Sequence, residues 1–275
     1  MHLGQDPESS DWAQQLLHIG NTDGEVELPQ YMHCGDGMAS LINAMYSDLL
    51  VLQPHQHLPD NYFLDHTILT PRNVQVHEIN TTILEGIQPQ EKTTYISADS
   101  ITDREYNYIQ PEILHFLNPA RFPLHKLELK NGAPLILLRN LDPIHGLYNG
   151  TRMRLTRSTP RILECHILKE GGDGEVMLIP RIALESGLED SPVPFQRLQF
   201  PVHLAYAMTI NKFQGQSVRN VGVDLRTPVF SHGQLYVALS YCTHPRRIKV
   251  LFKERQEDSK TTNVVWPEVF VNLNI

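Results

Sequence analysis

The segment FPVHLAYAMTINKFQGQS, residues 200–217, constrains the fold most, because an apolar run stops abruptly in a compact polar cluster. Val202 to Met208 predicts a buried strand, after which Thr209, Asn211, Lys212, Gln214 and Gln216 crowd around Gly215. A buried strand ending in such a cluster is where an open α/β sheet places a ligand site. Lysine meets a phosphate oxygen as a point charge and amides donate to it, so a phosphorylated ligand or a nucleic-acid backbone suits these residues. A polar turn after a core strand suits them equally.

The flanking sequence supplies the rest of an α/β pattern. DWAQQLLHIG, residues 11–20, predicts a short helix capped by Gly20, and GMASLINAMYSDLL, residues 37–50, a second helix with Ser40 as candidate cap. His66 to Leu69 reads as a short buried strand bounded by Pro71, and Asn73 to Leu84 as a helix after the TPRN turn. Further on, Val221–Leu225 and Ile248–Phe252 predict strands and Ser231–Leu239 a helix. Between the two halves lie short β-like runs at Leu127–Leu138, Thr151–Thr156, Ile162–Ile167 and Val176–Ile179, punctuated by Asn-Gly at 131–132 and 149–150. That order predicts a sheet interrupted by a small barrel.

The net charge of −8 speaks against a polyanion partner until its distribution is considered. Residues 1–120 hold 3 Lys/Arg against 17 Asp/Glu, whereas residues 121–169 hold 9 against 3. A locally basic module can bind nucleic acid where the whole chain would not. Arg152 and Arg154, two apart on an expected strand, share one face that can meet a phosphate backbone or simply face water; Lys169 is a further candidate. No apolar run approaches membrane-spanning length, and the first residues, MHLGQDPESS, lack a secretory pattern. Cys34, Cys165 and Cys242 are widely spaced and read as free thiols of an intracellular protein. The fourteen histidines fall into no compact zinc spacing, so no metal ligand is expected, and no GxSxG elbow is present.

HTILTPRNVQVHEIN (66–80), TYISADS (94–100), HKLELKNGAPLILLRNLDPIHGLYNGTRMRLTR (125–157), TINKFQGQS (209–217) and FSHGQLYVALSY (230–241) together resemble the petite-integration-frequency DNA helicases, most of all those encoded by Helitron transposons. These are superfamily one enzymes that couple ATP hydrolysis to 5′-to-3′ movement on single-stranded DNA. The resemblance covers about residues 60–253 and implies the C-terminal half of such an enzyme. It implies a RecA-like α/β second motor domain at 59–120 and 198–255 and an inserted small β-barrel at 121–197. Residues 1–58 would be a linker and helical segment from the first motor domain, and 256–275 a C-terminal tail.

By the same resemblance, Arg72, Asn73, Thr209, Asn211, Lys212 and Phe213 fall near DNA, with Arg152 and Arg154 as candidates in the insertion. Gln214, Gly215, Gln234 and Tyr241 fall at the nucleotide cleft. Arg72 serves a local helix start as readily as a ligand. Two positions depart from the family pattern: Phe213 replaces a serine, where a ring could stack on a base, and Tyr241 replaces the arginine that reaches the terminal phosphate. The chain has no GxxxxGK[ST] phosphate loop and no acidic magnesium motif. ATP and Mg2+ are therefore expected of the complete helicase but not of productive binding by this chain, which is expected to hold no catalytic residue and not to hydrolyse ATP alone. The expected partners are single-stranded DNA and an N-terminal motor domain, and the resemblance implies the nucleus. A non-catalytic DNA-binding module derived from a transposon helicase stands as the alternative.

Overall fold

His66 to Thr70 forms a strand because every residue after the first is buried, Thr67 and Thr70 included, and because Pro71 ends it. A computed structural model describes residues 7–52, 58–59, 62–86, 91–106, 108–119, 122–169, 174–213, 218–253, 258–266 and 268. The elements begin with α1 (Pro7–Asn21), β1 (Gly24–Glu27), α2 (Met38–Leu50), α3 (Tyr62–Asp65), β2 (His66–Thr70) and α4 (Asn73–Gly86). There follow β3 (Thr93–Ile96), β4 (Ala98–Ile101), α5 (Pro111–Leu114), β5 (Lys126–Leu129), β6 (Pro134–Leu137), β7 (Arg152–Ser158), β8 (Ile162–Ile167) and β9 (Val176–Pro180). The last are β10 (Ile182–Ser186), β11 (Phe195–Gln199), β12 (Val202–Leu204), β13 (Ala207–Thr209), β14 (Asn220–Asp224), α6 (Gln234–Ser240), β15 (Ile248–Leu251) and β16 (Lys260–Asn263).

The chain divides into two units, one of residues 1–58, 62–88 and 206–275, the other of residues 59–61 and 89–205. The first is an α/β layer built on a parallel sheet of order β13-β2-β14-β15. Helix α2 lies against β14 and β15, α4 against β13 and β2, and α6 against β14, with α1 on α6. Gly222 lets α2 approach: a Cβ there would meet Met45 Cγ at 2.8 Å and Leu41 Cδ1 at 3.0 Å. Asn80 clips α4 to the edge strand by donating from Nδ2 to the Ala207 carbonyl (3.0 Å) and accepting from its amide (2.9 Å). The first and last segments pair as antiparallel strands β1 and β16, so residues 24–27 and 260–263 are part of this unit's fold. Asn263 fixes that closure by donating to the carbonyls of Ile19 and Thr22, both at 2.7 Å.

The second unit is the inserted small β region. Among the described residues its strands fall into an antiparallel sheet β12-β6-β7-β8-β9, a sheet β10-β11-β4 and a pair β3-β5. Tyr95, Leu127 and Leu129 share one core with Leu135, Leu137, Met153, Leu155 and Ile167, while Leu114, Phe122, Leu184 and Phe195 form a second core. Arg197 is fully buried and fully used: it pairs with Asp99 (Nη2 to Oδ2, 2.7 Å) and donates to the carbonyls of Leu114, Leu117 and Pro123. A buried charge persists only with such partners.

Three expectations change. Val202–Met208 is two strands, β12 antiparallel to β6 in the second unit and β13 parallel to β2 in the first, because the chain changes unit between Ala205 and Tyr206. Residues 89–120 lie with the β region, since β3 pairs with β5 and β4 with β11. Gly20 does not cap α1, which runs on to Asn21, and the residue preceding α2 is Gly37, with Ser40 Oγ donating to the Asp36 carbonyl instead (2.8 Å). No described helix is long and apolar enough to cross a membrane.

Candidate nucleic-acid interface

Parallel pairing places Thr209 opposite Thr70, so the segments that follow β13 and β2 leave the same edge of the sheet. Arg72 and Asn73 follow β2 at the start of α4, where the Arg72 carbonyl accepts from the Val76 amide (3.2 Å). Asn211 and Lys212 follow β13 in a short 3-10 turn, Ile210–Phe213. All four of these residues are exposed, whereas Thr209 is buried. Neither Arg72 nor Lys212 has a carboxylate partner among the described residues, whereas the neighbouring Arg226 is held by both Asp224 (2.8 Å) and Glu78 (3.1 Å). Desolvation lowers the Lys212 pKa from the ordinary lysine value although the residue is exposed, as expected of an ammonium crowded by protein atoms.

Hydrogen bonds preset this edge. Thr70 Oγ1 donates to Gln75 Oε1 (2.7 Å), and Gln75 Nε2 donates to Thr227 Oγ1 (3.1 Å), tying the end of β2 and the first turn of α4 to the loop after β14. In that loop the Arg72 guanidinium lies over the Phe230 ring, 5.3 Å from its centroid. Gln234 is buried at the start of α6; its Oε1 accepts from the Phe230 amide (3.2 Å), and its Nε2 has no hydrogen-bond partner among the described residues.

The other expected site residues stand apart from this group or inside the protein. Phe213 is fully buried, its ring 5.0 Å from that of Tyr241 at 82°, so stacking on a base is not open to it here. Tyr241 is buried too, its hydroxyl donating to the Ile210 carbonyl (3.2 Å) while burial pushes its pKa up to about 12. Arg246 does not stand in for a missing arginine, because Glu8 holds it at 2.7 Å. Gln214 and Gly215 lie outside the described residues.

In the β region Arg152 is buried, which corrects its expected place on an open face; Arg154 is half-buried. Arg157 pairs with Glu164 (3.0 Å), Lys126 with Glu128 (2.7 Å), and Lys130 is buried. Much of the basic surplus of residues 121–169 is therefore spent internally, though Arg161 and Lys169 remain exposed.

One grouping has no signal in sequence spacing. Asp99, His115 and His125 bring potential metal-ligand atoms within 4.8 Å of one another. The two imidazoles stack at 3.7 Å and 16°, so their in-plane lone pairs do not converge on one ion, and Asp99 is already bound by Arg197 and Ser97. Desolvation and the facing His115 lower the His125 pKa. As arranged, this is a hydrogen-bonded network supporting the Arg197 hub.

A family profile described as the DNA helicase Pif1 2B domain matches residues 112–157. The ATP-dependent DNA helicase Pif1 of Campylobacter jejuni is 30% identical over 195 residues, covering 68% of this chain and 42% of that protein. The PIF1 helicase of Xenopus laevis is 30% identical over 167 residues, 59% of this chain and 24% of that protein. This chain thus spans less than half the length of these relatives. In fold it is similar to the crystal structure of Pif1 helicase from Candida albicans, with a TM-score of 0.60, 22% identity and coverage of 97% of this chain and 59% of the other. A Bacteroides Pif1 helicase in complex with ADP-AlF3 and single-stranded DNA gives 0.59, 18%, 97% and 53%. The α/β fold with its inserted β region and the matches in sequence agree: the chain carries partial homology to the ATP-dependent DNA helicases of the Pif1 family.

Proposed function

We propose that this chain is the DNA-gripping second motor domain, with its insertion, of a 5′-to-3′ DNA helicase of the Pif1 type. The observation that carries this reading is the sheet edge where Arg72 and Lys212, exposed and without acid partners among the described residues, follow adjacent parallel strands. Phosphates of single-stranded DNA meet such cations without regard to base. Asn73 and Asn211 add amide donors on the same edge, and Arg154 is a secondary contact in the β region. Tyr241 and Phe213 connect the Lys212 turn to the end of α6, a path by which strand contact reaches the nucleotide side, where Gln214, Gly215 and Gln234 belong.

ATP and Mg2+ serve the complete enzyme, and the phosphate grip comes from a first motor domain in the same or another polypeptide, since this sequence has no GxxxxGK[ST] pattern. The setting is inside the cell, the nucleus being the narrower reading. The narrower reading of lineage, descent from a transposon-encoded helicase, rests on the resemblance of the motifs TINKFQGQS and FSHGQLYVALSY. The buried Phe213–Tyr241 pair, standing where the family pattern has serine and arginine, favours a second reading as a non-catalytic single-strand-binding module.

Fluorescence anisotropy with single-stranded DNA at several salt concentrations tests the grip. Binding is expected to be modest and salt-sensitive, and Lys212→Ala should weaken it similarly for all sequences and reduce the salt slope by about 1. Unchanged affinity and slope in Lys212→Ala would place the contact elsewhere.

A further inference from the structure

Phe230 is 54% exposed, follows the sheet edge described above, and carries over its ring an arginine that has no acid partner among the described residues. Its position is fixed from both sides: Gln75 binds Thr227 three residues before it, and the buried Gln234 accepts its amide hydrogen. With its backbone held and Arg72 over its ring, this exposed side chain has less conformational entropy to lose when a flat ligand arrives than one on an untied loop. The carboxylates Asp224, on β14, and Glu78, on α4, are both engaged by Arg226. Tyr31 also carries a guanidinium over its ring, but that arginine, Arg246, is held by Glu8. Tyr108 and Phe116 are 79% and 83% exposed, but they lie in a segment with Asp103, Glu105 and Glu112, where an anionic strand is repelled.

We propose that Phe230 and the Arg72 guanidinium form a stacking platform for a base of single-stranded DNA. The strand's phosphates would lie on Lys212 and on the outward donors of Arg72. The platform rests on the phosphate-gripping reading and adds to it a contact that depends on bases. Aromatic and guanidinium planes accept any base, because every base has a π face, so the platform contributes affinity without sequence preference.

The test is equilibrium binding of the chain to a deoxythymidine strand of about 16 nucleotides and to an abasic strand with the same number of phosphates. The wild type should prefer the base-bearing strand. Phe230→Ala should weaken binding to it roughly 5- to 100-fold, leave the abasic strand and the salt slope unchanged, and be rescued by Phe230→Trp. Lys212→Ala should instead weaken both strands and lower the slope, and Tyr108→Ala should change neither. Equal binding of the two strands by the wild type, with no effect of Phe230→Ala, would overturn the platform and leave the phosphate grip standing. No wild-type binding to either strand at low salt would overturn both.

Discussion

Phe213 and Tyr241 hold each other in place, edge to face at 5.0 Å, with the Tyr241 hydroxyl on the Ile210 carbonyl. Each departs from the helicase pattern alone, and together they fill one site in the core. Tyr241→Arg is expected to cost about 3 kcal/mol, because it removes a buried ring and its hydrogen bond and sets a guanidinium against an apolar neighbour. Adding Phe213→Ser should make the double variant more stable than the sum of the single changes by about 0.5–3 kcal/mol, measured by denaturant unfolding. Strict additivity would show that the two positions do not compensate each other. The residue types at the sheet edge were legible in sequence, since Arg72, Asn73, Asn211 and Lys212 stand in recognisable motifs and are exposed. The burial of Phe213, Tyr241 and Arg152 was not, because an aromatic or an arginine on a strand carries no mark of which way it faces. Phe230 was missed for the same reason: only the contact with Arg72, distant in sequence, distinguishes it from an ordinary loop phenylalanine.

At the scale of elements, the first unit depends on how closely α2 approaches the parallel sheet. Leu41 and Met45 occupy the space over Gly222, so Gly222→Ala should destabilise the protein by about 1–3 kcal/mol through overpacking. Met45→Ala in the same chain should recover part of that loss in thermal unfolding. Neutral or stabilising behaviour of Gly222→Ala alone would mean that the helix can withdraw freely. Most of these elements follow from periodicity: β2, α2 and α4 lie within a few residues of where the apolar pattern puts them. The division of the run from Val202 to Thr209 between two sheets does not follow, because both halves are apolar and nothing between Leu204 and Ala207 marks a turn in the sequence. Strands β1 and β16 were hidden differently: each is short, and neither has a partner nearby in the chain.

For the whole molecule, segregation of charge along the sequence misdirects attention to the β region. Burial of Arg152 and Lys130 and the pairing of Arg157 and Lys126 use up much of that surplus, while Arg72 and Lys212, without a carboxylate partner among the described residues, stand on the parallel-sheet edge of a unit that is acidic on average. Sequence gives the number of charges, but only the fold gives their partners, and an unpartnered cation is what a phosphate meets. The most direct measurement is hydrogen exchange of the chain with and without single-stranded DNA at low salt. Protection is expected at residues 71–75, 209–213 and 227–230, with little change at 152–157. Protection confined to 152–157, with the three edge segments unchanged, would contradict the account.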